Sequence, residues 1–586
     1  MEMKTFSGIG VSPGIAIGEA YVLDAEQHHI TRRFIVEDEV EAEVARYDEA
    51  VRKTCAELDQ IKQQSAGELG DAAPILDAHI AIIHYGITQG AHRRIRDNRF
   101  SAEYAVQRAI AEAVQRYRRV SDQYLAQRVG DIRDIERRLL STLLGRRAVD
   151  FREYGRPVIL IAVDLPPSLT AELDKVNLLA FATDLGGPTG HTAIVARARQ
   201  IPAVLGVSGL AADVNTGDHL IIDGDRGQVL LNPDADTLES YRALGAERDR
   251  RREAALGESA LPAVARDGLR VTVQANIEFS YEAAEAVRQG AEGIGLFRTE
   301  YLYGQYHTEP DEELQLAAYA DAVASFPDQP VVIRTLDLGA DKMFHLRGHG
   351  GDEDVPQERN PALGFRAVRY CLARNEVFRR QLRAICRASA LGDVRLLVPM
   401  VCSREEIIDV RRRLEAVQEE LAAAGIPFNP RMPLGIMVEV PSVAIALDHY
   451  NDVCDFYSIG TNDLTQYLLA VDRTNNAVAN LYRPSHPAVL RLLRGVFAQA
   501  NAANRPVSLC GEMGGEPGYV PLLLGLGLRS FSVSPPAVPT VKKMLRSLSW
   551  SRAEVLARRA LTLTTARDVA SCLRGFVRDS GLDANA

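Results

Sequence analysis

Tryptophan and cysteine are scarce in this chain, with one and seven residues among 586. The thiols, Cys55, Cys371, Cys386, Cys402, Cys454, Cys510 and Cys572, are odd in number and show no CxxC pairing, which argues against a disulfide scaffold and for a reducing compartment. No apolar run approaches the ~18 residues that cross a bilayer. The opening Met1-Glu2-Met3-Lys4 leads into glycine, serine and proline instead of the apolar core of a secretion signal, so a cytoplasmic location is expected. An excess of basic charge is missing as well. The net charge of −10 argues against nucleic acid as the main partner and leaves a basic protein partner open. What is present is ordinary core-forming material, 46% hydrophobic and 25% charged. A chain of this length exceeds one core and predicts about three or four domains.

Phe6 to Leu23 alternates short apolar runs with Gly8, Gly10, Pro13, Gly14 and Gly18, the pattern of short strands and turns. From Val36 to Leu144 proline nearly disappears and Ala, Arg, Glu and Gln dominate, which predicts a helical bundle whose charges read as solvated faces. Strand patterns return at Arg156–Asp164, Leu178–Thr183, Ala203–Leu205, His219–Ile222 and Gln228–Leu231, with helical sequence between them. The opening strands belong with these, so the bundle is expected to be an insertion into an α/β domain. Leu238–Leu256 reads as a connecting helix. Beyond Ala263, eight short buried strands recur, each followed by a helical pattern: Val271–Ile277, Gly293–Phe297, Val331–Leu336, Val394–Met400, Leu434–Val440, Phe456–Gly460, Pro506–Cys510 and Phe531–Val533. That alternation predicts a (β/α)8 barrel.

The stretch Gly186-Gly187-Pro188-Thr189-Gly190-His191-Thr192-Ala193-Ile194-Val195-Ala196-Arg197 places a histidine at a strand-to-helix corner. Free backbone N–H groups and the positive end of the helix dipole favour an anion there, and imidazole is a good nucleophile toward phosphorus near neutral pH. The plainer alternative is a histidine that only caps the helix. At the strand ends of the barrel stand Arg298 and Glu300, Arg334 and Asp337, Glu439, Asn462 and Asp463, and Cys510 and Glu512. Barrel chemistry collects at those ends, so these residues should share one mouth. Glu439 and Asp463 suit a hard cation such as Mg2+. Arg298, Arg334 and Arg473 offer forks for carboxylate or phosphate. Cys510 could exchange a proton with a small, multiply anionic substrate, or be an inert buried thiol.

These residues carry a family resemblance over nearly the whole chain. Ser12-Pro13-Gly14-Ile15-Ala16, Asp131-Ile132-Arg133-Asp134-Ile135, the His191 loop, Gly293 to Glu300, Arg334-Thr335-Leu336-Asp337, Asn360-Pro361-Ala362-Leu363-Gly364, Gly435-Ile436-Met437-Val438-Glu439, Gly460 to Gln466 and Cys510-Gly511-Glu512 resemble Enzyme I of the bacterial sugar phosphotransferase system, the phosphoenolpyruvate-protein phosphotransferase family. The resemblance implies a multidomain α/β protein: a swivelling phosphohistidine domain (1–23 and 145–233), an inserted helical carrier-binding domain (24–144), a linker helix (234–262) and a (β/α)8 domain that binds phosphoenolpyruvate and dimerises (263–586). It implies that His191 takes the phosphoryl group and passes it to the carrier HPr in sugar uptake. Arg298, Arg334, Asn462, Asp463 and Arg473 would hold phosphoenolpyruvate, Glu439 and Asp463 would bind Mg2+, and Cys510 would protonate the enolate to give pyruvate.

Two positions depart from the family pattern: Gly190 stands where a small polar residue, most often serine, precedes the histidine, and Pro188 replaces the commoner arginine or alanine. Asp77-Ala78-His79-Ile80 resembles the carrier-contacting region, in a less acidic setting. Phosphoenolpyruvate synthase and pyruvate phosphate dikinase share these modules but need a nucleotide-binding domain, for which the residues before the swivelling domain are too few and no GxxxxGK[ST] loop exists. The nitrogen-related Enzyme I usually carries a sensory domain first, so a start at the catalytic module favours the sugar branch. A non-catalytic scaffold is the remaining alternative, and the retained reactive residues speak against it.

Overall fold

The structure is a computed structural model that describes residues 3–23, 32–64, 80, 82–119, 132, 135–136, 138–144, 156–165, 178–187, 191–198, 200–305, 309–338, 358, 360–473, 475 and 478–581. It packs as two units, residues 1–247 and 248–586.

In the first unit, strands from before and after the helical segment share one mixed sheet. β1 (Lys4–Ser7), β2 (Ile9–Ser12) and β3 (Ile15–Val22) join β4 (Val158–Ala162), β5 (Leu178–Thr183), β6 (Ala203–Leu205), β7 (His219–Asp223) and β8 (Gln228–Leu231) in the order β1-β8-β7-β3-β4-β5-β6-β2. β3, β4, β5 and β6 run parallel, while the β7–β8 hairpin and the two edge strands are antiparallel to their neighbours. Alternating residues fill a core on each face: Ile159 and Ile161 on one, Val158 and Leu160 on the other. Every residue of β4 is buried, as a strand covered on both faces must be.

The helices between β3 and β4 have their own core. Val44, Tyr47 and Val51 of α1 (Val40–Gln64) meet Ala91 and Ile95 of α2 (Thr88–Asn98) and Ala105, Val106 and Ala109 of α3 (Ala102–Arg119). These are the three- and four-residue spacings of apolar helix stripes. The expected motif residues Asp77, Ala78 and His79 lie outside the described residues.

After β5, helix α4 (His191–Ala198) begins at the histidine, as the sequence predicts. Ala193 and Ala196 are its buried contacts with the sheet, and Ser12 Oγ donates to the Ala196 carbonyl at 3.2 Å. Small residues let the helix lie close to the strands. Pro188 and Gly190 lie outside the described residues, and of His191 the backbone alone is described. α5 (Ala235–Gly257) is the connecting helix.

The second unit is a closed barrel. β10 (Arg270–Ile277), β11 (Ile294–Arg298), β12 (Val331–Arg334), β13 (Val394–Val398), β14 (Leu434–Val438), β15 (Phe456–Ile459), β16 (Val507–Leu509) and β17 (Ser530–Val533) are all parallel, and the β10–β11 pairing closes the ring. The short β9 (Ala263–Val264), absent from the sequence reading, adds antiparallel to β10. Strand alternation sorts the residues. Leu434, Ile436 and Val438 face the surrounding helices, while Met437 faces inward with Leu296, Val332, Leu397 and Phe456. Gly435 has the inward parity of Met437, and a Cβ there would stand 2.5 Å from the Phe456 ring.

Some strands end earlier than expected. β12 stops at Arg334 instead of Leu336, because the Leu336 N–H leaves the ladder for Gln381 Oε1 at 3.0 Å.

Gly435→Ala should therefore destabilise the second unit by about 1–3 kcal/mol, the usual cost of overpacking a core. Denaturant unfolding followed by hydrogen exchange of barrel amides would measure it, and Phe456→Leu in the same chain should recover part of the loss.

Candidate active site

The inward alternation that places Leu296, Val332 and Met437 in the barrel carries one more step at each strand end, to Arg298, Arg334 and Glu439. Cys510 follows β16 at the same level, packed against the interior apolar cluster. Asn462 and Asp463 sit in the first turn of the helix Thr461–Leu469 after β15. Thus the strand-end residues singled out in the sequence do gather at one mouth, with Arg473 joining through its ion pair to Asp463 Oδ1 at 3.5 Å.

Each guanidinium is held by carboxylates. Arg298 Nη1 donates to Glu278 Oε1 at 2.7 Å. Arg334 pairs with Glu300 and, at 3.1 Å, with Asp337 Oδ2. Arg366 donates to Asp337 Oδ1 at 2.8 Å, lies 3.6 Å from Asp463 Oδ2 and reaches the Tyr467 hydroxyl at 3.4 Å. Burial works against the charge on Arg298, Arg334 and Arg366, but their carboxylate partners overcome it and hold all three pKa values above the ordinary arginine range. The forks are fixed before any ligand arrives.

Glu439 is the least accommodated charge. It is 2% exposed, and burial first, then the charges of Asp463 and Asp337, push its carboxyl up to about 8. Its Oε1 accepts the Met400 N–H at 2.6 Å, from a residue whose φ of 57° lies in the left-handed region. That conformation costs a non-glycine residue about 1–2 kcal/mol, and here it aims a donor at the carboxylate. A Cβ at Gly460 would stand 2.7 Å from Glu439 Oε2, so glycine is what leaves the carboxylate room.

The charge balance of the mouth suits a divalent cation. Glu278, Glu300, Asp337, Glu439, Asp463 and Glu512 face Arg298, Arg334, Arg366 and Arg473. With all six carboxylates ionised, the state in which Glu439 can bind a cation, two negative charges are left over. Among the described residues no three His, Cys, Asp or Glu side chains form a ready cage. Mg2+ does not require one, since it keeps several waters and takes one or two carboxylates with substrate oxygens.

Cys510 is 2% exposed. Burial raises its thiol, while the Ser458 hydroxyl, which donates to Sγ at 3.2 Å, and the charge of Arg334 pull it back. The Asn462 side-chain oxygen accepts the Glu512 N–H at 3.2 Å, and its carbonyl accepts the Tyr482 hydroxyl at 3.4 Å.

Several residues here were missed in the sequence. Arg366 lies two residues beyond the Asn360–Gly364 segment, and Glu278 follows β10 as Arg298 ends β11, so both have a positional signal. Glu300 and Asp337 were noted as strand-end residues without a role. Met400 has no signal in sequence, because methionine does not ordinarily take positive φ.

Known proteins resemble this chain along nearly its whole length. Three family models match: PEP-utilising enzyme, N-terminal, over residues 7–128; PEP-utilising enzyme, mobile domain, over 154–227; and PEP-utilising enzyme, PEP-binding domain, over 252–550. A phosphoenolpyruvate-protein phosphotransferase of Haemophilus influenzae is 39% identical over 98% of this chain and 100% of its own length. One from Bacillus sp. (strain S) is 38% identical over 97% of this chain and 98% of its own. With its anion-ready barrel mouth and similarity along its whole length, the chain belongs to the phosphoenolpyruvate-protein phosphotransferases, enzymes that use phosphoenolpyruvate for phosphoryl transfer.

Proposed function

We propose that the chain moves the phosphoryl group of phosphoenolpyruvate to its own His191 and then to a histidine of the carrier protein HPr, releasing pyruvate, as the first step of sugar uptake. The observation that carries this reading is the set of buried, carboxylate-held guanidiniums beside an acidic excess at the barrel mouth. A small trianionic substrate and a cation match that field. Arg298, Arg334, Asn462 and Arg473 would hold phosphoenolpyruvate, with Asp463 orienting Arg473 and Arg366. Glu439 and Asp463 would hold Mg2+, which supplies positive charge to the phosphoryl and enolate oxygens.

In the transfer, a ring nitrogen of His191 bonds to phosphorus while the bond from phosphorus to the bridging oxygen breaks, leaving its electron pair on the enolate. Cys510 gives its proton to the methylene carbon of that enolate, and pyruvate leaves. Because α4 starts at His191, the N–H groups of its first turn would be available to the phosphohistidine, as at helix N-termini in general. His191 has to serve donor and acceptor in turn, which two separately packed units joined through α5 allow. The domain roles follow the same reading: phosphohistidine domain 1–23 and 145–233, carrier-binding insert 24–144, linker 234–262, and a substrate-binding, dimerising barrel 263–586. Cytoplasmic placement belongs to it as well, and among the described residues no helix is long and apolar enough to cross a membrane.

Incubation with labelled phosphoenolpyruvate and Mg2+ should give an acid-labile label on the wild type and none on His191→Ala; an unlabelled wild type would refute the reading. Offering the labelled protein HPr or its nitrogen-branch counterpart in separate reactions decides the carrier, and faster transfer to the latter would reassign the pathway. Cys510→Ala should slow single-turnover pyruvate release by about 10²-fold or more, the usual scale for a positioned acid, and unchanged release would remove the acid role. Glu439→Gln should raise the Mg2+ concentration for half-maximal labelling about tenfold or more.

A further inference from the structure

The inner face of the barrel is divided into two halves. On one, Leu296, Val332, Leu397, Met437 and Phe456 form an apolar cluster that includes Cys510. The other half is polar. Ser458 of β15 and Ser508 of β16 are paired across the ladder, Ser532 Oγ of β17 donates to Asn276 Oδ1 of β10 at 2.6 Å, and Asn276 Nδ2 donates to the Cys510 carbonyl at 2.9 Å. Hydroxyls inside a packed barrel cost stability unless they are hydrogen-bonded, so their partners define their use. Ser508 Oγ donates to Ser458 Oγ at 3.2 Å, and Ser458 Oγ donates to Cys510 Sγ at 3.2 Å. Ser458 has no exposed surface. The thiol in turn points at the Ile459 carbonyl, 3.5 Å from Sγ.

We propose that Ser458, backed by Ser508, is a positioning residue for Cys510: its hydroxyl fixes the thiol and stabilises the thiolate that remains after proton delivery. This rests on the reading of Cys510 as the acid. In that step the S–H bond breaks, its proton forms the third C–H bond of the pyruvate methyl, the electron pair stays on sulfur, and a solvent proton later restores the thiol. A thiolate beside Met437 and Phe456 is poorly hydrated, since Cys510 is 2% exposed. A hydrogen bond to an ion is about twice as strong as one between neutral groups, so the Ser458 bond strengthens as the proton leaves. An interaction that grows along the reaction speeds it, whereas one of constant strength does not. Ser508 acts one bond further back, by committing the Ser458 proton to the sulfur instead of to another acceptor.

The test uses the full chain as wild type, Ser458→Ala, Ser458→Thr, Ser508→Ala and Cys510→Ala. Two readouts are the pH midpoint of Cys510 alkylation by iodoacetamide, followed by peptide mass spectrometry, and single-turnover pyruvate release against phosphoenolpyruvate concentration. Ser458→Ala should raise the alkylation midpoint by about one pH unit and lower the maximal rate about tenfold, with the half-saturating phosphoenolpyruvate concentration within about twofold of wild type. Ser458→Thr, which keeps the hydroxyl, should restore both, and Ser508→Ala should give a smaller shift in the same direction. A loss of barrel packing alone would move the half-saturating concentration and not the midpoint. If Ser458→Ala fails to fold, Ser508→Ala carries the test. Unchanged midpoints in the serine variants, with Cys510→Ala slow, overturn the role of the serines and leave the acid assignment standing. Full activity of Cys510→Ala overturns the acid assignment and the serine role with it.

Discussion

The two-residue period of eight parallel strands is the constraint on which the mouth of this barrel depends. Because side chains alternate, each strand that sends Leu296, Val332 or Met437 into the interior must, two residues later, send Arg298, Arg334 or Glu439 to the rim of that same interior. A slip of one residue would turn those charges toward the apolar helix layer and the flanking Val331, Ile333 and Ile436 toward the mouth. Core packing and site assembly are therefore one requirement. The apolar residues fix the register, and the register delivers the charges.

Charge then has to be reconciled with burial. Four guanidiniums and six carboxylates share a region where Arg334, Glu439 and Asp463 are each more than nine-tenths buried. Pairs such as Arg334 with Glu300 and Asp337 make that tolerable, and they hold the forks rigid. The balance is incomplete by design of the residue set: Glu439 keeps a carboxyl raised by its neighbours, with a strained Met400 turning one N–H toward it. A site whose own groups do not neutralise one another has affinity left for a cation and an anionic substrate. Stability is given up where binding needs it.

The interior of the barrel shows the same economy of position. Its apolar half supplies packing, and its hydroxyl half meets Cys510 at the boundary between them. A buried thiol alone is an unremarkable core residue. A hydroxyl donor at 3.2 Å from Sγ gives it a chemical environment.

Much of this was legible in the sequence, for reasons that are local. Strand and helix periodicity, the scarcity of proline between Val36 and Leu144, and the recurrence of eight short apolar runs determined the fold class, and even the helix start at His191 follows from the glycine-rich loop before it. Reactive residues at strand ends were readable because a parallel barrel has one chemical end. The partners were not. Glu278 with Arg298, Arg366 with Asp337 and Asp463, Met400 with Glu439 and Ser458 with Cys510 join positions 20 to 97 residues apart in the chain, and no local pattern encodes such pairings. The sequence determined which residues are inward-facing and which can react; closure of the barrel decided which of them touch, because contacts across a closed ring are set by register and shear and not by spacing along the chain.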